Sequence, residues 1–276
     1  LSERAGIPLA FLNRVLPRRQ SLVAMFTCWS HRQEGAITRF NLFENMDVII
    51  VKCNSLRDHF ISLGAPAERI VVIPFAVDDQ FYNFAPFEDA EPGHILSLGE
   101  ARCRDYATLI EAVENLPVNL EILASGHWYA REKEKGIQVD TSANINVHGG
   151  LSNSEVRSCY QRSQFVALPV FDLVYSAGAT VTLEAMSSGR AVVATRSRGL
   201  VDYVVDGKTG ILVEPGNVEA WRQAITYLLD HPEEARRMGE NGRKRVEAEL
   251  NLERYVASIK STLAQFEVGV YEHAHA

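Results

Sequence analysis

The sequence predicts an α/β protein: a doubly wound, Rossmann-like parallel sheet in its larger part, preceded by a smaller portion of the same character. Two observations carry this. From residue 94 onward, short apolar runs alternate with amphipathic or cap-signalled segments, the signature of a parallel sheet with helical crossovers. Before residue 76 the same alternation is present, but it is too short to make a complete sheet.

Composition sets the frame for both parts. The 276 residues are 46% hydrophobic and 23% charged, as in an ordinary folded protein. The 35 acidic residues outnumber the 28 basic ones, giving a net charge of -7, which argues against a nucleic-acid partner. A nucleotide is untouched by this, since one diphosphate needs only local positive charge. Cys28, Cys53, Cys103 and Cys159 have no paired metal-ligand spacing and read as reduced thiols of a cytoplasmic protein. No apolar run approaches the length of a membrane span, and the opening "LSERAGIPLA" lacks a signal peptide's pattern. The chain begins without Met, so either the start was removed or this is a piece of a longer protein.

In chain order, "SLVAMF" and "MDVIIV" read as buried strands, "SLRDHFISLG" as a helix and "RIVVIPF" as a third strand; together, residues 1–75 form a partial domain. Residues 76–93 are rich in Pro, Asp and aromatics without periodicity and read as an interdomain linker. Residues 94–250 supply the strands "HILSLG", "LEILASG", "INVHGG", "FVALPV", "AVVAT" and "GILVEP". Between them, Tyr106, Leu109, Ile110, Val113 and Leu116 recur on one helical face. Ser152 and Glu155 have capping-box spacing ahead of Val156, Cys159 and Tyr160. Asn217 is placed to cap the stripe Val218, Trp221, Ala224, Ile225, Leu228 and Leu229. Residues 251–276 hold a last helix, with Leu252, Tyr255, Val256, Ile259, Leu263 and Phe266 in register, expected to pack back toward the N-terminal portion. The tail "YEHAHA" is expected to fray.

Ligands of open parallel sheets bind beyond the carboxyl ends of the strands, so the loops there hold the candidate residues. In "SLGEARCRDY", Gly99 closes a strand and Arg102 and Arg104 follow, either as donors to a diphosphate or as solvated surface arginines. The loop lacks the GxGxxG pattern of nicotinamide-binding sheets. In "VHGGLSNSE", Gly149 and Gly150 would let the backbone approach a flat ligand, while His148 reads as a strand-end residue. In "PVFDLVYSAGATVTLEAM", Gly178 opens a helix whose first amides, those of Ala179, Thr180 and Val181, make an anion site. Glu184, one turn further in, is set to accept bonds from ribose hydroxyls, or is a partly exposed helix Glu flanked by apolar residues. "VVDGKTG" reads as a structural turn.

The run "TLEAMSSGRAVVATRSRGLVDYVVDGKTGILVEPGNVEAWRQAI" closely resembles the donor-binding half of GT-B fold retaining glycosyltransferases of the family-4, or group 1, type. The likeness covers roughly residues 47–266 and is strongest over 165–230. It implies a complete C-terminal donor-binding domain, a partial N-terminal acceptor-side domain, and transfer of a sugar from a nucleotide-sugar donor to an acceptor hydroxyl with retention, without a metal or other cofactor. By the resemblance Glu184 holds the donor ribose, Gly178 with the amides from Ala179 to Val181 meets the diphosphate, Arg104 replaces a phosphate-binding Lys, and Gly149, Gly150 and Leu151 meet the nucleobase. Donor is expected in a cleft between the domains. The acceptor would be a sugar, glycan or lipid-linked molecule, with room for peripheral membrane contact through a missing N-terminal portion.

The chain also departs from the family pattern. Ser176 stands where a first Glu normally touches the sugar, with Asp172 in the same loop as a substitute. Glu100 follows Gly99 where Arg is usual, and Arg104 lies one residue closer than expected, so Arg102 is a candidate to compensate. Thr27 and Cys28 occupy the place of an active-site His, leaving His31 as a catalytic helper. Two other readings are a non-catalytic nucleotide-sugar-binding subunit or inactive fragment, favoured by the missing Glu, and a nucleotide-sugar epimerase.

Overall fold

The computed structural model describes residues 2–15, 21–124 and 144–274. Ser125 and Gly126, the end of the strand expected at "LEILASG", lie outside the described residues, as do residues 275–276 and the side chain of Phe266. The chain divides into two compact units: Leu1–Phe75 with Val174–Ala177 and Glu253–Ala276, and Ala76–Leu173 with Gly178–Leu252.

The first unit holds a three-stranded parallel sheet of β1 (Val23–Phe26), β2 (Val48–Val51) and β3 (Ile70–Val72), in that spatial order. Every residue of β2 is buried, as a central parallel strand requires. Tyr255 and Ile259 of the Leu252–Ala274 helix pack against Val48, Ile50 and Ile73, so the sheet's apolar face is covered by the end of the chain. That helix is described as far as Ala274. Lys52, just past β2, is buried; its ammonium lies 2.8 Å from the Tyr255 hydroxyl and over the Tyr255 and Phe75 rings, and burial pulls its pKa down to about 8. The helices Glu3–Val15 and His31–Phe40 were not anticipated. Pro8 interrupts the first, and the second rests on its Ser30 cap more than on an apolar stripe.

The second unit is a six-stranded, all-parallel sheet: β4 (His94–Leu98), β5 (Asn119–Leu123), β6 (Ile145–His148), β7 (Phe165–Leu168), β8 (Ala191–Thr195) and β9 (Gly210–Val213). The spatial order is β6-β5-β4-β7-β8-β9, the arrangement of a doubly wound dinucleotide-type fold. All residues of β4, β7 and β8 are buried. The helix Asn153–Arg162 begins with the Ser152–Glu155 capping box, and Asn217 caps the helix Val218–Asp230 through the Ala220 amide. The helix after β4 is shorter than its apolar stripe: it ends at Val113, and Asn115 turns left-handed before Leu116.

Residues 76–93, read as an interdomain linker, group with the second unit. Val77 bridges to Asn251, and the Ala85 and Pro86 carbonyls accept bonds from the buried Arg190 at 3.1 and 3.0 Å. Its irregular backbone is held by these contacts. Among the described residues no helix is long and apolar enough to cross a membrane.

The helix Pro232–Glu249 contains Gly239 and Gly242, and both glycines let it pack. A Cβ on Gly239 would stand 2.0 Å from the Gly189 carbonyl oxygen, and one on Gly242 would stand 2.8 Å from Met186 Cγ. The helix thereby lies directly against the Ala179–Ser187 helix. Gly239→Ala is expected to lower stability by about 1–3 kcal/mol through overpacking against rigid backbone, measured by chemical denaturation; an unchanged midpoint would contradict this packing.

Candidate functional site

In a doubly wound sheet the ligand crevice lies where the strand order reverses, here beyond the carboxyl ends of β4 and β7. The loops leaving these strands are joined to one another. Arg104 and Val170 form an antiparallel bridge, the Asp105 amide donates to the Pro169 carbonyl at 2.9 Å, and the Phe171 amide donates to Cys103 at 3.3 Å. From β8, Thr195 Oγ1 accepts the Val170 amide at 3.0 Å and Ser197 Oγ accepts that of Leu173 at 3.1 Å. The loop after β7 is therefore held from both sides.

Arg104 is buried at the end of β4, its Nε donating to the Leu98 carbonyl at 2.7 Å. A Cβ on Gly99 would lie 2.3 Å from the guanidinium, so the missing side chain makes room for a fixed cation. Arg102 behaves differently: it is 80% exposed and pairs with Glu100 at 2.8 Å, a surface contact of small energetic weight.

Gly178, at φ 90°, is the residue before the Ala179–Ser187 helix. A Cβ there would stand 2.9 Å from Leu168 and 3.2 Å from Val170, so the bulk it omits faces the end of β7. With no side chain at the cap, the first helical bond runs from the Thr182 amide to the Gly178 carbonyl at 2.9 Å. The amides of Ala179, Thr180 and Val181 precede that bond and carry the positive end of the helix. Ala179 is buried; Thr180, Val181 and Glu184 share the helix's more open face, at the spacing of three and four that aligns side chains.

Glu184 is half-buried, and Tyr160 donates to its Oε2 at 2.8 Å. The Tyr82 ring meets the Tyr160 ring edge to face at 5.8 Å, beside the same carboxylate. Burial raises the Glu184 pKa, while the Tyr160 hydroxyl bond acts against that rise; burial and the nearby carboxylate push the Tyr160 and Tyr82 phenols well above their ordinary range. Neither tyrosine was singled out as a site residue. Tyr160 was read as one of an apolar stripe and Tyr82 as one aromatic of a linker, and a polar tip on an otherwise buried ring is the signal that marks both.

The remaining candidates have surroundings of their own. Gly149, Gly150 and Leu151 follow the edge strand β6; both glycines are exposed, and open space surrounds the position of a Gly150 Cβ. Asp172 is engaged by Arg198, whose amide and Nε donate to it at 2.9 and 3.0 Å. Ser176 belongs to the first unit, buried, with no hydrogen-bond partner for its hydroxyl among the described residues. His31, also in the first unit, is the exposed first residue of its helix. Nearby in sequence, Thr27 and Cys28 both bond the buried carboxylate of Glu3 at 3.3 Å, and burial with that carboxylate pushes the Cys28 thiol up to about 11.

A sequence model of the glycosyl transferases group 1 matches residues 79–245, more than half of the chain. The chain belongs to this family. Among relatives of this group 1 glycosyltransferase, the MMP alpha-(1->4)-mannosyltransferase of Mycolicibacterium hassiacum is 27% identical over 83% of the chain and 54% of that protein. The chain thus spans about half the length of that relative. Two solved structures share its GT-B fold. Sucrose-phosphate synthase from Thermosynechococcus elongatus has a TM-score of 0.83 at 20% identity, over 97% of this chain and 73% of that one. HepE of Anabaena, solved in complex with UDP-glucose, has a TM-score of 0.79 at 17% identity, over 95% and 77%.

In this group 1 glycosyltransferase the raised pKa of Glu184 has a consequence for stability. Because its folded-state pKa lies above the unfolded value, the native state loses stability relative to a neutral side chain as pH rises through the folded pKa. Glu184→Gln is therefore expected to gain thermal stability over the unaltered protein as pH is raised from about 4 to 7; an advantage that is constant with pH would show that burial does not act on this carboxylate.

Proposed function

We propose that this chain carries the donor-binding machinery of a cytoplasmic glycosyltransferase that moves a hexosyl unit from a nucleoside diphosphate sugar to an acceptor hydroxyl, with retention of configuration. The observation that carries the reading is the half-buried Glu184 one turn inside a helix whose uncapped N-terminus adjoins the strand-order reversal, in the unit that also fixes Arg104 there. The acid accepts the ribose hydroxyls. The amides of Ala179, Thr180 and Val181 and the cation of Arg104 meet the diphosphate and stabilise the negative charge that grows on it as the sugar leaves. That field is supplied by the chain's own residues, so the reading does not call for a divalent metal. The acceptor, a sugar, glycan or lipid-linked hydroxyl, attacks on the face from which the diphosphate departs. The complex of HepE with UDP-glucose supports a nucleotide-sugar donor, and the free cysteines support a reducing compartment.

Gly149, Gly150 and Leu151 are assigned to the nucleobase, Asp172 and Ser176 to the sugar, Arg102 to the diphosphate and His31 to the acceptor side. Ser176 favours one other reading, a nucleotide-sugar-binding subunit without transfer activity, because a buried hydroxyl replaces the carboxylate expected to touch the sugar.

Titration calorimetry with UDP, GDP and ADP is expected to find one that binds, with Glu184→Ala weakening it about tenfold or more, the scale of hydrogen bonds to a charged group. Arg104→Ala is expected to weaken binding and also to lower the melting temperature, since it removes the bond to Leu98. Absence of binding by all three would overturn the reading. Binding without sugar hydrolysis or transfer from the matching donors would leave the non-catalytic subunit.

A further inference from the structure

Glu184 leaves the Ala179–Ser187 helix on its more open face, at the end of a flexible side chain. What fixes its carboxylate comes from another helix. Tyr160, on Asn153–Arg162, has no exposed surface, and its hydroxyl donates to Glu184 Oε2 at 2.8 Å. Tyr160 is itself held on several sides. Its carbonyl accepts the buried Arg190 Nε at 3.1 Å and the Ser163 hydroxyl at 2.9 Å. Two residues on, Arg162 Nη2 reaches both oxygens of the buried Glu121 on β5, at 2.7 and 2.8 Å, and so ties the end of the helix to the sheet. The Ser152–Glu155 capping box closes the other end, and the Tyr82 ring meets the Tyr160 ring edge to face. Packing alone does not ask for the hydroxyl: Phe fills nearly the same volume with no polar atom to satisfy, whereas a buried phenol must find an acceptor.

We propose that Tyr160 is a positioning residue for the donor: by occupying Glu184 Oε2 it sets the carboxylate in one orientation, in which the remaining acceptor positions meet both hydroxyls of a ribose and distinguish it from a deoxyribose. This rests on the donor-site reading above. An ionised carboxylate has about four acceptor positions on its two oxygens. One phenol takes one of them and stops the group from turning about its last bond. The positions left over meet a diol without first having to be ordered, which is where an oriented group gains over a mobile one. A carboxylate that is not held can still accept a bond from either hydroxyl of the sugar, so it binds but discriminates less. A held one is left with an unpaired acceptor when one hydroxyl is missing, and that is what rejects the deoxy ligand.

The test compares ribonucleoside with 2′-deoxyribonucleoside diphosphates. For whichever of UDP, GDP and ADP the unaltered protein binds best, calorimetry is expected to find the 2′-deoxy counterpart about tenfold weaker, and Glu184→Ala to bring the two to about equal affinity. Tyr160→Phe keeps the ring and its contact with Tyr82. It is expected to weaken the ribonucleotide while leaving the deoxynucleotide nearly unchanged, so that the preference falls to about threefold or less. An unchanged preference in Tyr160→Phe, even with both affinities lowered, overturns the proposal and marks the hydroxyl as packing only. If Tyr160→Phe does not fold, proton NMR of the unaltered protein decides: the buried Tyr160 hydroxyl proton, recognised by its contact with the Tyr82 ring, is expected to persist when nucleotide saturates the site, and its loss on binding overturns the proposal. Binding without a ribose preference in the unaltered protein overturns this proposal alone. Absence of binding by every nucleotide overturns the donor reading and the proposal with it.

Discussion

A guanidinium with no access to water, that of Arg190, underlies the local order of the second unit. It donates to the Tyr160 and Gln161 carbonyls at the end of one helix and to the Ala85 and Pro86 carbonyls of the segment before β4. Burial depresses its pKa to about 10, a measure of how unfavourable the buried charge would be if those carbonyls were not there. The carbonyls would in turn be unpaired without it: helix ends leave acceptors over, and irregular backbone has no ladder to satisfy them. One side chain thus meets the needs of two segments, which carry Tyr160, bonded to Glu184, and Tyr82, packed against the Tyr160 ring.

The sheet was legible in the sequence because fully buried parallel strands write themselves as continuous apolar runs, as "VIIV" and "FVAL" do. Caps were legible for a similar reason: Ser152 and Asn217 act within three residues of themselves. What escaped were features whose cause lies far away in sequence. Gly239 and Gly242 weaken a helix locally and are required only because Gly189 and Met186 lie beneath them. Residues 76–93 carry no period because their partners, Arg190 and Asn251, lie more than a hundred residues further along the chain.

The site divides along the same line. Glu184, Gly178 and Arg104 could be found from the loop positions that any doubly wound sheet uses, and the structure sets them on the elements flanking the strand-order reversal. The tyrosine pair depends on three segments converging and could not be read from any one of them. Burial disfavours the charged form of the Glu184 carboxylate, the kind of perturbation on which the proposal of a donor site there draws.

The packing of Tyr255 and Ile259 on the three-stranded sheet bears on how the protein is made. Strands β1, β2 and β3 precede the second unit along the chain, but the helix that covers them follows it. Domains generally form as units during synthesis. The second unit, ending at Leu252, can close around its own sheet first. The first unit waits with Val48, Ile50 and Ile73 uncovered until the covering helix follows the second unit, so the nascent chain carries an apolar face throughout the synthesis of residues 76–252 and is a natural client for chaperones that shield such surfaces.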